Sequence, residues 1–238
     1  MLSRFGKART AFPGGCNIGK RPVDMHIKAL EEMGAKIEID GYNIIARVKG
    51  KLQGKEITFG ATENVIMAAT FAEGVTTINN AATEPEVLDL IDFLKKMGAD
   101  IEIDNTKVII TGVEALNGCV HKIIPDRIEA GTYALAAIIT GGKLKLKGIN
   151  LSDIRCITNE LETIGAMVEL YDGGIVISRK NGSIKSANVA TDPYPNFPSD
   201  MQPQLMSAMC IADGISVIEE NIFENRFTHA GELRKLSS

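Results

Sequence analysis

Cysteine and histidine are scarce in this 238-residue chain, and neither forms a recognisable pattern. Its cysteines stand far apart, at Cys16, Cys119, Cys156 and Cys210. Metal sites built on cysteine place two ligands a few residues apart, and no such pair occurs here. His26, His121 and His229 lack the spacing of a metal site or a catalytic triad, so we interpret them as structural. We therefore expect free thiols in a reducing compartment and no bound metal.

Long apolar runs are missing as well. No segment approaches the roughly 18 consecutive apolar residues that a membrane helix needs. The first ten residues contain charges but no apolar stretch of the kind found in a secretory signal. The sequence also contains no dinucleotide-binding fingerprint. We expect a cytoplasmic protein with no membrane partner and no cofactor.

Positive charge is in the minority and is unevenly distributed. The net charge is −4, yet residues 1–28 hold six Lys or Arg and one Asp, so the remainder of the chain carries −9. Aromatic residues make up 5% of the chain and are not interleaved with the basic ones, which argues against a nucleic-acid platform. The pattern favours a pocket for small anionic substrates. A solvated basic face is the alternative.

A long internal repeat organises the chain. A helix that ends in Gly-Ala and leads into an alternating strand is predicted three times, with its glycine at Gly34, Gly98 and Gly165. Helices of small residues are predicted between these elements, over residues 62–72, 127–140 and 200–213. The period of about 67 residues is too long for a solenoid repeat. We therefore predict a duplicated α/β subdomain of helix, strand, helix and strand hairpin.

The same period makes a prediction about both ends of the chain. Residues 2–6 resemble the tail of a small-residue helix, and residues 232–236 resemble residues 92–97. The Gly-Ala that should follow the second of these segments is replaced by Ser237 and Ser238. We therefore expect a repeat unit cut at each end, with exposed strand edges that a complementary chain segment could cover.

A domain boundary is predicted near Pro125. Asp126 and Arg127 open a new repeat unit there, after a segment with few helix formers. The prediction is a partial catalytic-loop domain over residues 1–125 and a partial second domain over residues 126–238.

A glycine-rich loop surrounds Cys16 and precedes a predicted helix. Its glycines permit positive φ and let bare backbone approach a ligand. Pro22 is predicted to be the first helical residue, and Lys20 and Arg21 stand just before it. A helix N-terminus beside two cations would attract an anion and favour the thiolate of Cys16. The alternative is a mobile surface loop with an incidental thiol.

This loop resembles the active-site loop of the UDP-N-acetylglucosamine 1-carboxyvinyltransferase family of enolpyruvyl transferases. The matching segment is PGGCNIGKRPVDMH, and later segments match in the same order: GATEN (60–64), NAATEPE (80–86), PDRIEAGT (125–132), FPSDMQ (197–202) and FENRF (223–227). The resemblance covers essentially the whole chain. It implies an α/β, two-domain enolpyruvyl transferase fold of repeated helix-strand-helix-strand-hairpin subunits arranged as inside-out α/β barrel halves, incomplete here. Family members carry further repeats on each side.

The resemblance implies transfer of the enolpyruvyl group of phosphoenolpyruvate to the 3′-hydroxyl of UDP-N-acetylglucosamine, with release of phosphate. This is the first committed step of peptidoglycan synthesis and needs no metal or redox cofactor. By resemblance, Cys16 protonates the methylene carbon and can form a covalent adduct with phosphoenolpyruvate. Members with Asp at this position resist the epoxide fosfomycin, so a chain with Cys16 is expected to be alkylated.

Asp200 is the candidate base for the sugar hydroxyl. It stands at the start of a helix whose body is predicted over residues 201–212, with Ser199 as the capping residue. An Asp in a first turn most often stabilises the helix dipole. The resemblance favours the catalytic interpretation, because the matching family segment binds the sugar hydroxyl.

The remaining candidates would bind substrate. By resemblance, residues from Arg21 to Met25 lie along the UDP-sugar, and the planar guanidinium of Arg21 suits phosphate. A second UDP-contacting segment corresponds to residues 56–59. The substrate-binding set is thus Arg21, Pro22, Val23, Asp24, Met25, Glu56, Ile57, Thr58, Phe59, Asp200 and Ile222.

Arg226 corresponds to a site arginine of the family and is grouped with Cys16 and Asp200 as catalytic. A buried structural arginine satisfied by Glu224 is the alternative, and the residues alone do not decide between the two. Ile222 corresponds to a main-chain contact with the substrate.

The chain departs from the family mainly by omission. The Lys-Asn pair that grips phosphoenolpyruvate, an arginine before the loop and the C-terminal arginines have no counterpart. The alternatives are therefore an inactive fragment that retains part of the UDP-sugar surface, or the related 3-phosphoshikimate enolpyruvyl transferase. The Gly-Gly-Cys loop and the FPSDMQ match argue against the second.

Overall fold

The computed structural model describes residues 1–15, 18, 22–58, 60–180 and 182–236. Contacts divide the described residues into two compact units. The first unit holds the described residues of 1–15 and 21–123, and the second holds Ile18 with the described residues of 124–238. The division into domains over residues 1–125 and 126–238 stays a prediction.

Helices in the first unit are separated by one to three strands. In chain order they are α1 (Leu2–Phe5), β1 (Lys7–Ala11), α2 (Asp24–Glu32), β2 (Lys36–Asp40), β3 (Asn43–Arg47), β4 (Glu56–Ile57), α3 (Thr62–Ala69), β5 (Val75–Ile78), α4 (Pro85–Lys96), β6 (Asp100–Asp104) and β7 (Lys107–Thr111).

The second unit follows the same order. It contains α5 (Arg127–Thr140), β8 (Lys143–Lys147), α6 (Leu151–Thr163), β9 (Ala166–Tyr171), β10 (Gly174–Arg179), β11 (Val189–Thr191), a 3₁₀ turn (Ser199–Met201), α7 (Gln202–Met209), β12 (Ile218–Glu220) and α8 (Thr228–Leu236).

Sheet topology confirms the predicted repeat. The strand orders β1-β3-β2, β5-β7-β6 and β8-β10-β9 are the same arrangement, in which the last strand of each repeat lies between the other two. All of these pairings are antiparallel. A short strand adds to the edge of two repeats in parallel, β4 beside β5 and β11 beside β12. Each repeat is therefore helix, strand, helix and hairpin.

The repeat glycines end their helices as predicted. Gly34, Gly98 and Gly165 have φ of 96°, 101° and 110°, a region that is costly for side chains with a Cβ. The chain can therefore turn sharply from helix into strand at the same place in each repeat. The short helix α1 also ends at a left-handed residue, Gly6, with φ 70°.

Each unit has its own apolar core. In the first unit, Met33, Ile66, Ile91 and Ile110 are at most 1% exposed, and in the second, Ile138, Ile154, Leu161 and Leu205 are fully buried. The small-residue helices contribute to both cores: Ala69 of α3, Ala134 of α5 and Ala208 of α7 have no exposed surface. Small side chains let neighbouring elements approach these helices closely.

Three helix predictions were wrong at their ends: two helices were predicted too long, and one was predicted to begin too early. The helix over 62–72 ends at Ala69, and the helix over 201–212 is confined to Gln202–Met209 after a 3₁₀ turn. The helix expected from Pro22 begins at Asp24, because Val23 has φ −115° and ψ 6°, outside the α-helical region. In contrast, α5 has the bounds that were predicted.

Of the helices that the structure describes, none combines the length and the apolar composition of a bilayer-crossing segment.

Candidate active site

In the first unit, Met25 of the first predicted UDP-contacting segment lies against Gly60, which directly follows the second segment. The side chain of Met25 packs on Gly60, where an added Cβ would lie 3.0 Å from the Met25 Sδ and 3.2 Å from its Cε. The next residue of α2, His26, has its Nδ1 2.9 Å from the Nδ2 of Asn64 in α3. The absence of a side chain at Gly60 therefore lets the start of α2 lie against the turn before α3.

Residues 56–58 differ in what they can offer a ligand. Glu56 is exposed, and its Oε1 accepts a hydrogen bond from the Asn79 amide at 2.7 Å. Ile57 is fully buried in β4, so only its main chain could contact a substrate, and its carbonyl already accepts from the N–H of Asn79. Thr58 is exposed and follows the strand. Sequence alone did not indicate Asn79, which lies about 20 residues away and meets Glu56 only through the β4–β5 pairing.

Cys16, Arg21 and Phe59, which were predicted to act as acid, phosphate ligand and UDP contact, lie outside the described residues. Ile18, in the same loop, is described. It is buried, and its carbonyl accepts a hydrogen bond from the N–H of Asn225 at 3.0 Å. Within the second unit, Ile18 is thus joined to the FENRF segment.

In the second unit, β11 and β12 bring the other two predicted segments together. Their parallel pairing places Thr191 opposite Glu220. The chain leaves β11 into the loop that precedes Ser199, and leaves β12 into the segment 221–227. The Thr191 Oγ1 accepts a hydrogen bond from the N–H of Asn221 at 3.1 Å. This bond holds the segment after β12 beside the end of β11.

The predicted capping role of Ser199 is wrong. No side-chain cap is present at the 3₁₀ turn or at α7. The Ser199 hydroxyl instead donates to the Oε1 of Glu220 at 2.9 Å. The reason is tertiary: β12 places a carboxylate beside Ser199, and a charged acceptor is a stronger partner for a hydroxyl than a backbone amide.

Asp200 and Arg226, the two described catalytic candidates, are in direct contact. The Arg226 Nη2 donates to the Asp200 Oδ1 at 2.8 Å. The Arg226 side chain is only 11% exposed, whereas the Asp200 side chain is 62% exposed. The Arg226 guanidinium also lies 5.9 Å from the centre of the Phe223 ring. Arg226 thus binds another candidate site residue, which favours the catalytic interpretation. Its side chain is nevertheless nearly buried, as expected for a structural arginine.

Ile222 is 39% exposed and lies between these residues in the chain. Its N–H donates to the Oε1 of Glu220 at 3.1 Å. A main-chain contact from Ile222 to a substrate would therefore fall to its carbonyl.

The histidines have different surroundings. The His121 Nε2 lies 3.0 Å from the Asp89 Oδ1, and its side chain is 6% exposed. Lys96, Asp92 and the Phe93 ring, all of α4, also lie beside His121, so it attaches the segment before residue 124 to α4. Burial holds the pKa of His229 below its ordinary value, and the charge of Arg226 adds to that effect while a hydrogen bond with the Arg226 main chain opposes it.

The arrangement in the second unit suits proton transfer from a hydroxyl. An exposed carboxylate can accept a proton, and a nearly buried arginine bound to it keeps that carboxylate oriented. Among the residues that the structure describes, no three His, Cys, Asp or Glu side chains lie close enough together to hold a metal ion.

Three relatives of known sequence carry the same name. The UDP-N-acetylglucosamine 1-carboxyvinyltransferase of Wolbachia pipientis wMel is 96% identical to this chain, that of Wolbachia sp. subsp. Brugia malayi is 87% identical, and that of Nitratidesulfovibrio vulgaris (strain DP4) is 50% identical. Each alignment covers the whole of this chain, and 57%, 57% and 58% of the relative. The chain therefore spans somewhat more than half the length of these relatives.

Solved structures share the fold. The enolpyruvyl transferase NikO from Streptomyces tendae superposes with a TM-score of 0.84 at 20% identity, over 98% of this chain and 57% of its own. An EPSP synthase from Acinetobacter baumannii gives a TM-score of 0.60 at 23% identity, over 88% of this chain and 51% of its own. These likenesses confirm the predicted enolpyruvyl transferase fold. The sequence also matches the family of EPSP synthase (3-phosphoshikimate 1-carboxyvinyltransferase) over residues 1–238, and the chain therefore belongs to that family.

Proposed function

We propose that this chain serves the transfer of the enolpyruvyl group from phosphoenolpyruvate to the 3′-hydroxyl of UDP-N-acetylglucosamine, with release of phosphate. The observation that carries the proposal is its 96% identity, over its whole length, to a UDP-N-acetylglucosamine 1-carboxyvinyltransferase. The proposed setting is cytoplasmic peptidoglycan synthesis, and the proposed partners are the two substrates. A complementary chain segment would supply the anion-binding groups for which this sequence has no counterpart.

In this proposal Asp200 takes the proton of the sugar hydroxyl as the oxygen attacks the central carbon of phosphoenolpyruvate. The exposure of its carboxylate and its bond to Arg226 at 2.8 Å support that role. Arg226 is the residue that orients the base. Its burial supports this assignment, because a side chain packed on several sides loses less freedom when a substrate binds.

Cys16 supplies the proton that the methylene carbon gains, and Arg21 holds phosphate. Pro22, Val23, Asp24 and Met25 bind the UDP-sugar together with the second segment, Glu56, Ile57, Thr58 and Phe59. Ile222 contributes a main-chain contact. The packing of Met25 on Gly60 supports a common surface for the two described segments.

A 3-phosphoshikimate transferase is the second candidate, since the matching family is described by that reaction. The relatives at 50% identity and above carry the UDP-N-acetylglucosamine name, which favours the first candidate. Binding of the sugar nucleotide without turnover is the third.

Phosphate release separates these candidates. The chain is incubated with phosphoenolpyruvate and either UDP-N-acetylglucosamine or shikimate 3-phosphate, and C16A serves as the control. Release that needs the sugar nucleotide and disappears in C16A supports the proposal. Release with shikimate 3-phosphate alone would overturn it in favour of the second candidate. Binding of the sugar nucleotide without release would leave only the binding function.

Fosfomycin gives an independent test of Cys16. We expect a covalent adduct on Cys16, seen by mass spectrometry of the intact chain and its peptides, in the presence of UDP-N-acetylglucosamine. C16D should retain an acid at this position and form no adduct. Modification of Cys119, Cys156 or Cys210 in place of Cys16 would contradict the assignment.

A further inference from the structure

Two segments that leave neighbouring strands must be held in register for Asp200 to meet Arg226. These residues lie on different segments, which follow β11 and β12, and they have no secondary structure in common. Their contact is a single hydrogen bond in which the Asp200 side chain is mostly exposed. Arg226 can orient the Asp200 carboxylate, but an ion pair with one exposed partner does not by itself fix the main-chain positions of the two segments. Another group must therefore fix the geometry.

Glu220, the last residue of β12, joins these segments in addition to the bond between Asn221 and Thr191. Its Oε1 accepts from the Ser199 hydroxyl at 2.9 Å and from the N–H groups of Ile222 and Phe223, each at 3.1 Å. One carboxylate oxygen thus binds the residue before Asp200 and the turn that leads to Arg226. Hydrogen bonds to a charged acceptor are stronger than neutral ones, so this oxygen is a firm point of attachment.

The other oxygen of Glu220 is buried without a hydrogen-bond partner among the described residues. Placing a carboxylate oxygen there costs free energy, and the three bonds to Oε1 offset that cost. A Gln amide has one oxygen, which is neutral and a weaker acceptor for the three donors. In the opposite orientation, its NH₂ group would face those donors and could not accept from them. The site therefore distinguishes Glu from Gln.

We propose that Glu220 is a positioning residue: its carboxylate sets the placement of Asp200 relative to Arg226 and holds the Ile222 main chain at the sugar site. It acts through Asp200 and Ile222, and it does not itself touch the reacting atoms. The catalytic meaning rests on the proposed function, whereas the geometric part depends only on the contacts of the second unit.

Glu219 offers a matched control. It is the preceding residue of the same strand and the same residue type, and its side chain is exposed. Alternation along a strand places it on the opposite face from Glu220. E219A therefore removes the same charge from the same strand without removing the three hydrogen bonds.

Amide hydrogen exchange tests the geometric part. In E220A the amides of Ile222 and Phe223 should exchange about tenfold faster than in the wild type, because each loses a charge-assisted bond. E220Q should give a smaller increase, and E219A none. Equal exchange in E220A and E219A would overturn the proposal. If E220A does not fold, E220Q is compared with E219Q in the same way.

Turnover tests the catalytic part. E220A should lower kcat/KM for UDP-N-acetylglucosamine by about tenfold or more, E220Q should restore part of it, and E219A should leave it unchanged. If Glu220 acts through Asp200, adding E220A to D200N should lower kcat little further. Fully additive losses would overturn the positioning role. The two parts of the proposal can fail separately. If E220A exchanges faster but the wild-type chain neither binds nor converts the sugar nucleotide, the geometric part is supported and only the proposed function is overturned.

Discussion

Asp126 and Asp200 both stand at the start of a small-residue helix, yet they do different things. The Asp126 Oδ1 accepts from the N–H groups of Ile128 and Glu129, at 2.8 and 3.1 Å, and so caps α5. Asp200 caps nothing. Its carboxylate binds the guanidinium of Arg226, from a segment 26 residues further along the chain.

Backbone conformation explains the difference. Asp126 precedes its helix with φ −70° and ψ 114°, an extended geometry in which a short side chain can reach the first free N–H groups. Asp200 lies within the 3₁₀ turn that precedes α7, so it is already part of the helical start. Asp200 is therefore available to a partner from another segment of the chain.

The largest expected contrast between the two residues is in turnover. For the proposed reaction, D200N should lower phosphate release by about 10²–10⁴-fold, the usual contribution of a general base. D126N should leave the rate unchanged, because Asn caps a helix about as well as Asp. Phosphate release with both substrates measures each effect. A D200N chain as active as D126N would contradict the role of Asp200.

Arg226 provides the next contrast, between a nearly buried and an exposed arginine. R226K keeps the charge but loses the planar fork, so kcat/KM for the sugar nucleotide should fall about tenfold. Arg47 pairs with Glu38 at 3.3 Å on the surface, with side chains 61% and 69% exposed. R47K should have no measurable effect. Steady-state kinetics of the two variants tests the contrast, and equal effects would contradict it.

Removing the cap should have a moderate effect on stability. D126A should lower the free energy of unfolding by about 0.5–2 kcal/mol, since two N–H groups of α5 lose their acceptor. Urea denaturation measures the change, and exchange of the Ile128 and Glu129 amides locates it. D126N is the control. A loss of the same size in D126N would show that charge, and not capping, accounts for the effect.

The smallest expected effect is a pH dependence at His229. Burial lowers its pKa in the folded state, so the unfolded chain binds a proton more readily between that pKa and the unfolded value of about 6.5. The stabilisation is complete above about pH 6.5 and is lost as the pH falls through this window. H229Q should reduce the slope in thermal melts between pH 7.5 and 5.5. An unchanged slope would assign the dependence to other groups.

Several features of the fold could be predicted because they depend on nearby residues. The bounds of α5 and the glycines at 34, 98 and 165 follow from periodicity and from the left-handed conformation at helix ends. Helix ends were less reliable. Residues 201–212 have helical composition throughout, but the observed helix is shorter at both ends, since tertiary contacts decide where a short helix stops.

The candidate site could be predicted as a set of residues but not as an arrangement. Resemblance singled out Asp200, Ile222 and Arg226, while nothing nearby in the chain indicated that Asp200 and Arg226 are partners. The Ser199 prediction failed for the same reason. A cap was the favourable local partner, and Glu220, 21 residues away, proved to be the acceptor.

The sequence by itself therefore determined the repeat with its helices and hairpins, and by resemblance it indicated the candidate site residues. The repeat is a consequence of local periodicity and of glycine at the turns. Only the tertiary structure decided which carboxylate caps a helix, which one binds Arg226, and that Glu220 joins Ser199 to the turn after β12. Those partners are brought together by the parallel pairing of β11 and β12, and a pairing between distant segments leaves no local pattern in the sequence.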